Sequence, residues 1–207
     1  MFGFAKKDTY SIMEVVIAMH CVRGFKESKK SVLYGNRGMH LESDLNDTNT
    51  FYRSQNRAVI YKKPTPITIS KVDYPSRIEA VIKEAYFKTP STTDYNGVYK
   101  GKYIDFEAKE TKLDYFPLAN IHVHQIEHLK LIMKHGGIGF LIIRFIKYNK
   151  TFLLEGKDFL EFLETMKRKS IPLSYFEEKG HILKEKYQPR LDYLEIIDTI
   201  FFKGEII

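Results

Sequence analysis

The stretch Asp94-Tyr95-Asn96-Gly97-Val98-Tyr99-Lys100-Gly101-Lys102-Tyr103-Ile104-Asp105-Phe106-Glu107-Ala108-Lys109 decides how this chain is read. From Tyr103 onward it alternates. Tyr103, Asp105, Glu107 and Lys109 fall on one face of a strand, and Ile104, Phe106 and Ala108 on the other. Carboxylates are poor strand formers, and like charges facing each other across a ladder repel. A divalent cation between them would reverse the sign of that cost. Two turns would close a hairpin here. Asn96-Gly97 is the stronger local turn signal, but it pairs Tyr95 with Val98 and leaves Asp94 far from Glu107. A turn at Lys100-Gly101 pairs Tyr99 with Lys102 and sets Asp94 opposite Glu107, at a Cβ separation of about 4.5–5.5 Å. We take the second register, because it gives the acids a common destination. Gly97 then lies inside a strand, where glycine marks a bulge or the close approach of another backbone.

Mg²⁺ takes oxygen ligands, typically one or two protein carboxylates with water and phosphate completing the octahedron. Asp94 and Glu107 meet that demand. Lys109 projects from the same face as Glu107, where an ammonium can orient a water or stabilise charge developing on phosphorus. On spacing alone, an exposed strand in which Lys109 merely neutralises Glu107 accounts for the residues equally well.

The flanking sequence separates the two. Asp94 with Glu107-Ala108-Lys109 resembles the D…(D/E)-x-K core of the restriction-endonuclease-like nucleases, a short pattern with many chance matches. More specific are Tyr34-Gly35-Asn36-Arg37-Gly38-Met39, Lys62-Lys63-Pro64-Thr65-Pro66, Phe87-Lys88-Thr89-Pro90-Ser91-Thr92-Thr93, Phe116-Pro117-Leu118, Asn120-Ile121-His122 and Tyr187-Gln188-Pro189-Arg190-Leu191-Asp192-Tyr193. In this order and spacing, over about residues 31 to 200, they resemble the RecU family of bacterial Holliday junction resolvases. The resemblance implies that Asp94 and Glu107 bind Mg²⁺, with Mn²⁺ as a substitute, and that Lys109 stabilises the transition state. It also implies metal-site roles for Thr92 and Gln125. The reaction implied is hydrolysis of phosphodiesters in two opposed strands of a four-way DNA junction, in recombination and repair. Recombinase and branch-migration proteins are further partners it implies. It gives Asp105 no role, and we place that residue behind the metal ligands at most.

Composition agrees. The 207 residues suffice for one domain with a real core. Thirty-three Lys and Arg against 26 Asp and Glu give a net charge of +7, which favours a polyanionic partner. A single cysteine, Cys21, excludes an intrachain disulfide framework and a cysteine-based zinc site. The most apolar run, Ile12 to Val22, is broken by Glu14 and His20 and falls short of the roughly 18 residues of a membrane span. The cytoplasm is the default location.

Residues 1–30 form a separate compositional zone, an N-terminal arm more apolar than the mobile basic arm usual in the family; residues 31–207 make the nuclease domain. The spacing predicts a helix from Met39 to about Arg53, with Glu42 turned either toward the site or to solvent. Arg37, in a glycine-flanked turn, suits phosphate contact, as its guanidinium offers a fork of donors. Residues 57–70 read as a strand that Pro64 and Pro66 force out of the sheet or to its edge. The chain then makes an excursion, at about 64–91, that contains a candidate helix from Arg77 to Tyr86. By resemblance this is the RecU stalk, which enters the centre of the junction. Lys62, Lys63, Arg77, Lys83 and Lys88 give it positive charge, and Tyr86 and Phe87 are available to stack on bases or to pack within it.

Asn120 is placed to cap a helix to about His135 that carries Gln125 near its start. His124 and His128, four apart, lack a third zinc ligand. Ile138 to Ile146, apolar but for Arg144, suits a buried central strand, followed by a shorter one at Thr151 to Leu154. The remainder reads as mainly helical, with core stripes at Phe159, Leu160, Phe162, Leu163 and Met166 and at Leu191 to Phe202. The expected fold is α/β: a mixed sheet flanked by helices, with a stalk before the catalytic hairpin. Cutting two symmetry-related strands calls for two sites and hence a C2 homodimer. A duplex-cutting restriction-like nuclease, a non-catalytic junction-binding regulator and an RNA-processing nuclease are the competing readings.

Overall fold

The computed structural model describes residues 41–76, 78–88 and 92–203. The expectations for the arm at 1–30, for Arg37 and for Arg77 lie outside these residues. In chain order the elements are α1 (Leu41–Ser54), β1 (Val59–Lys62), β2 (Ile67–Asp73), β3 (Val81–Phe87), β4 (Tyr95–Tyr99), β5 (Lys102–Thr111) and β6 (Tyr115–Pro117). There follow α2 (Val123–Lys134), β7 (Ile138–Phe145), β8 (Lys150–Glu155), α3 (Gly156–Thr165), β9 (Ser170–Pro172), α4 (Leu173–Lys179), β10 (His181–Leu183) and α5 (Tyr193–Phe201).

Six strands form a mixed sheet in the order β1-β4-β5-β7-β8-β10. Among the described strands only β5 and β7 run parallel, and α2 lies in the connection between them, as a parallel crossover requires. The continuous apolar run of β7 follows from burial on both faces. Phe140 and Ile142 join a core with Leu45 and Tyr52 of α1 and Leu194 and Ile197 of α5. Leu141, Ile143 and Phe145 join another with Leu129 of α2 and Phe159 and Phe162 of α3. This is the expected mixed α/β sheet flanked by helices.

The hairpin register follows the Lys100-Gly101 turn, with Tyr99 opposite Lys102 and Tyr95 opposite Phe106. Lys100 and Gly101 have φ of 46° and 71°, the two positive values that a type I′ turn requires. Gly97 lies mid-strand opposite Ile60, and a β-carbon there would stand 2.1 Å from the Val59 carbonyl oxygen. The obstacle is backbone, so β1 itself must shift to make room. Gly97→Ala is expected to cost about 1–3 kcal/mol as an overpacking change, read as a lower midpoint in urea unfolding.

Three expectations are corrected. The helix expected from Arg77 to Tyr86 is absent over its described residues: Val81–Phe87 is a strand, paired antiparallel with β2, Ile67 opposite Phe87 and Asp73 opposite Val81. Every residue of both strands is exposed, so a helix there would have no apolar surface to dock on. The β-branched Ile67, Thr68, Ile69, Val81 and Ile82 instead favour a self-paired ribbon. Pro64 and Pro66 do end β1 at Lys62, and the Lys88 amide donates to the Pro66 carbonyl at 3.0 Å, closing the ribbon's base. Asn120 does not cap α2: it sits in a 3₁₀ turn, and the helix starts after His122, whose amide donates to Gln125 Oε1 at 2.9 Å. The last third is less helical than expected, since β9 pairs with β6 and β10 extends the main sheet beside β8; Met166 is exposed, not core.

Candidate functional site

Parallel pairing fixes what surrounds the polar face of β5. Asp105, Glu107 and Lys109 lie beside Gly139, Leu141 and Ile143 of β7, under the layer that holds α2 and α3. The strand's acids are therefore buried by the fold, and Asp105 and Glu107 are both 0 % exposed. Ile104, Phe106 and Ala108 face the opposite core, against α1 and α5.

Asp94 stands at the start of β4, held at both ends of its peptide. Its amide donates to Glu107 Oε2 at 3.0 Å, and its carbonyl accepts from the Lys63 amide at 2.8 Å. Lys109 Nζ lies 2.5 Å from Glu107 Oε1 and 3.3 Å from Asp94 Oδ2, so one ammonium spans both carboxylates. These three residues, predicted as one site, are brought together. Asp94 and Lys109 open on a cavity of about 740 Å³ whose wall also includes Glu42, Lys62, Tyr95 and Glu110, with Glu107 buried behind them. Glu42, in the first turn of α1, faces this cavity and pairs with Lys62 at 2.6 Å. A smaller cavity, about 230 Å³, shares Lys62 and Asp94 and adds Lys63, Thr92 and Thr93 at the foot of the β2–β3 ribbon.

The electrostatics follow from burial. Desolvation, reinforced by the negative charge of Asp94, pushes the Glu107 carboxyl up to about 7 against the opposing pull of Lys109. Burial also pulls the Lys109 ammonium down, but Glu107 and Asp94 outweigh it and the net shift is upward. The Tyr95 phenol is raised by burial first, then by Glu42, Asp94 and Glu107, and its buried hydroxyl has no hydrogen-bond partner among the described residues. The site thus holds more negative charge than its lysine offsets comfortably. Its donors are carboxylate oxygens, the set a hard cation prefers, and the bridging ammonium already stands where a positive charge is wanted.

The other predicted residues are placed less centrally. Thr92 lines the smaller cavity beside Asp94, and its hydroxyl donates to the Thr93 carbonyl at 3.4 Å. Gln125 is buried in the first turn of α2, its side-chain oxygen engaged by the His122 amide. Lys62 is exposed toward both cavities and Lys88 lies at the ribbon's base. Lys63, expected to carry charge toward a ligand, turns inward and pairs with Asp105 at 2.8 Å. His128 also faces Asp105, its Nε2 3.2 Å from Oδ2. Among the described residues no group of three or more His, Cys, Asp or Glu side chains could hold a metal ion. No helix among them is long and apolar enough to cross a membrane.

Sequence reasoning missed Tyr95, Thr93 and Glu110. Alternation gives no signal for Tyr95, which pairs with Phe106 on the other face of the sheet; Glu110 accepts from the Leu41 amide at 2.7 Å and so ties the start of α1 to β5.

The chain has close relatives. It is 56% identical over 181 residues to the Holliday junction resolvase RecU of Bacillus cytotoxicus, covering 86% of this chain and 90% of that protein. The RecU of Geobacillus sp. (strain WCH70) is 56% identical over 173 residues, 82% of this chain and 86% of its own. A solved archaeal structure, the Holliday junction resolvase Hjc of Archaeoglobus fulgidus, is similar over 68% of this chain and 92% of its own, with 12% identity and a TM-score of 0.42. The family model for Recombination protein U matches residues 36–199. With four-fifths of its length matched by that model and such identity to its members, the chain belongs to the RecU family.

Proposed function

We propose that this protein is a magnesium-dependent endonuclease that cuts four-way DNA junctions in the cytoplasm, as a homodimer with one site per strand cut. One observation carries the reading: one ammonium, Lys109, bridges the carboxylates of Asp94 and the buried Glu107 where Asp94 and Lys109 line an open cavity. The names of the relatives supply the substrate class. Asp94 and Glu107 are the residues that would hold the cation; Thr92 and Gln125 are proposed to join through water or by leaving their present hydrogen bonds. Held there, a divalent cation would supply the Lewis acidity that phosphodiester hydrolysis by water needs. Lys109, which bridges the two acids, would donate to the phosphate oxygens as charge develops on them. Lys62, which lines both cavities, is proposed to hold the DNA backbone, as are Arg37, Arg77 and Lys88. The β2–β3 ribbon carries exposed Tyr74, Tyr86 and Phe87, rings that unpaired bases can stack upon at a junction's centre.

Labelled four-way junction and matched duplex, incubated with the protein with and without Mg²⁺, test this reading. Paired symmetric nicks in the junction alone are expected, and only with metal. Equal cutting of duplex would replace it with a restriction-like nuclease, and tight junction binding without nicking with a regulator.

The raised Glu107 carboxyl adds a pH dependence. Below about 7 the metal-free site holds a proton on Glu107 that the cation must displace. Mg²⁺ affinity is therefore expected to fall as pH drops from 8 to 6, with up to one proton released per ion bound near neutrality. Calorimetry in buffers of different ionisation enthalpy reads that proton directly. The stability sign is opposite for the free protein. The folded state binds this proton more tightly than the unfolded chain, so Glu107's contribution to stability is lost as pH rises from about 4.5 to about 7.

A further inference from the structure

Asp105 is the acid of β5 that neither the family pattern nor the cation needs, yet it is the most heavily engaged. It is fully buried, and four side chains from separate parts of the chain converge on it. Lys63 Nζ lies 2.8 Å from Oδ2, His128 Nε2 3.2 Å and the Tyr103 hydroxyl 3.3 Å, while the Thr93 hydroxyl donates to Oδ1. Lys63 Nζ reaches Thr93 Oγ1 as well, at 3.1 Å. A buried carboxylate is tolerated only when paired and hydrogen-bonded, so this arrangement is strongly specified.

The partners are informative for where their backbones go. Lys63 is the last residue before Pro64-Thr65-Pro66, the segment that leaves the sheet for the β2–β3 ribbon, and its amide holds the Asp94 carbonyl. Thr93 directly precedes Asp94. His128 fixes the same carboxylate to α2. One acid therefore clamps both chain segments that lead into Asp94 and into the base of the ribbon.

We propose that Asp105 is a positioning residue: through Lys63 and Thr93 it sets the Asp94 peptide and the root of the β2–β3 ribbon as one rigid joint, and Lys63 serves this joint rather than the DNA backbone. The inference rests on the reading of Asp94 as a cation-binding carboxylate. It implies that a ribbon displaced at its root displaces Asp94 with it, so that engagement of DNA by the ribbon and cation binding at the site are mechanically linked.

The test compares Lys63→Met, Asp105→Asn, their double variant and the milder Thr93→Val with the wild type. Single-turnover cleavage, the Mg²⁺ midpoint and junction binding over a range of salt are measured for each. Loss of the joint is expected to raise the Mg²⁺ midpoint about 10–100-fold, the range found when a partner behind a metal ligand is removed. Saturating Mg²⁺ should restore much of the rate. Lys63→Met should leave the slope of log affinity against log salt unchanged, and the double variant should be no worse than the worse single. Should Asp105→Asn fail to fold, Lys63→Met and Thr93→Val still decide the matter through the midpoint. A salt slope smaller by about one charge in Lys63→Met, with the midpoint unmoved, would make Lys63 a phosphate contact and overturn the inference. Asp94→Asn run in parallel separates the two failures. If it cleaves like the wild type, the reading of Asp94 is wrong; if it is dead while the joint variants keep wild-type midpoints, only the joint is wrong.

Discussion

Lys109→Ala is expected to lower the single-turnover rate of junction cleavage by about 10²–10³-fold, with junction binding retained. The ammonium contacts Glu107 and Asp94, so in the free protein it competes for the place a cation would take. Removing it should tighten Mg²⁺ binding while removing the donor that meets charge developing on the phosphate. Asp94→Asn is expected to lose as much rate for the opposite reason. It keeps the ammonium and deletes a ligand, so Mg²⁺ binding weakens. Calorimetric titration with Mg²⁺ beside single-turnover kinetics distinguishes the two variants, since both are slow but their cation affinities move in opposite directions. Wild-type cleavage by either would remove these residues from the site, and weaker Mg²⁺ binding by Lys109→Ala would show that the lysine organises the acids rather than competing for them.

The register of the hairpin was legible because charge left only one pairing with a use for the acids, and Lys100-Gly101 tolerates the positive φ values of its turn. Alternation also gave the correct face for Asp105, Glu107 and Lys109. It gave no depth. Whether that face meets water or a helix depends on the β5–β7 crossover, a non-local pairing that local periodicity does not encode. For that reason Asp105 was left without a role, and Lys63 was read as a surface charge beside Lys62. The two lysines are adjacent in a basic, proline-rich segment, yet one pairs with the exposed Glu42 and the other with a buried acid, Asp105. The ribbon failed differently. Val81 to Phe87 alternates too weakly to distinguish strand from helix, and its pairing partner, β2, begins 14 residues upstream across a turn with no strong signal. Thr92 and Gln125 were named from resemblance alone, and geometry gives them local hydrogen bonds of their own.

Arg144 is the one charge in the otherwise apolar β7, and its removal carries the largest stability effect we expect. The guanidinium is 7 % exposed and holds Asp44 Oδ2 of α1 at 2.6 Å and Thr151 Oγ1 of β8 at 3.0 Å, with Glu185 at 3.6 Å and Glu110 at 3.9 Å. Asp44 is itself 1 % exposed, so Arg144→Met leaves a carboxylate stranded in the interior. Breaking a buried pair from one side costs about 3–5 kcal/mol, whereas replacing both partners by apolar groups is often neutral. Arg190 also reaches Asp44, at 3.3 Å, but from a position 39 % exposed, where water screens its charge. We therefore expect about 3 kcal/mol for Arg144→Met, the lower end of that range. Most of it should be recovered in the Asp44→Leu/Arg144→Met double variant, in urea unfolding at constant salt. A loss below about 1 kcal/mol would mean that Arg190 alone neutralises Asp44, as an exposed pair contributes no more than that. The effect should extend to the site. Asp44 lies in the first turn of α1 with Glu42, and Glu110 holds the Leu41 amide, so loosening Arg144 loosens the wall of the cavity that Asp94 and Lys109 face.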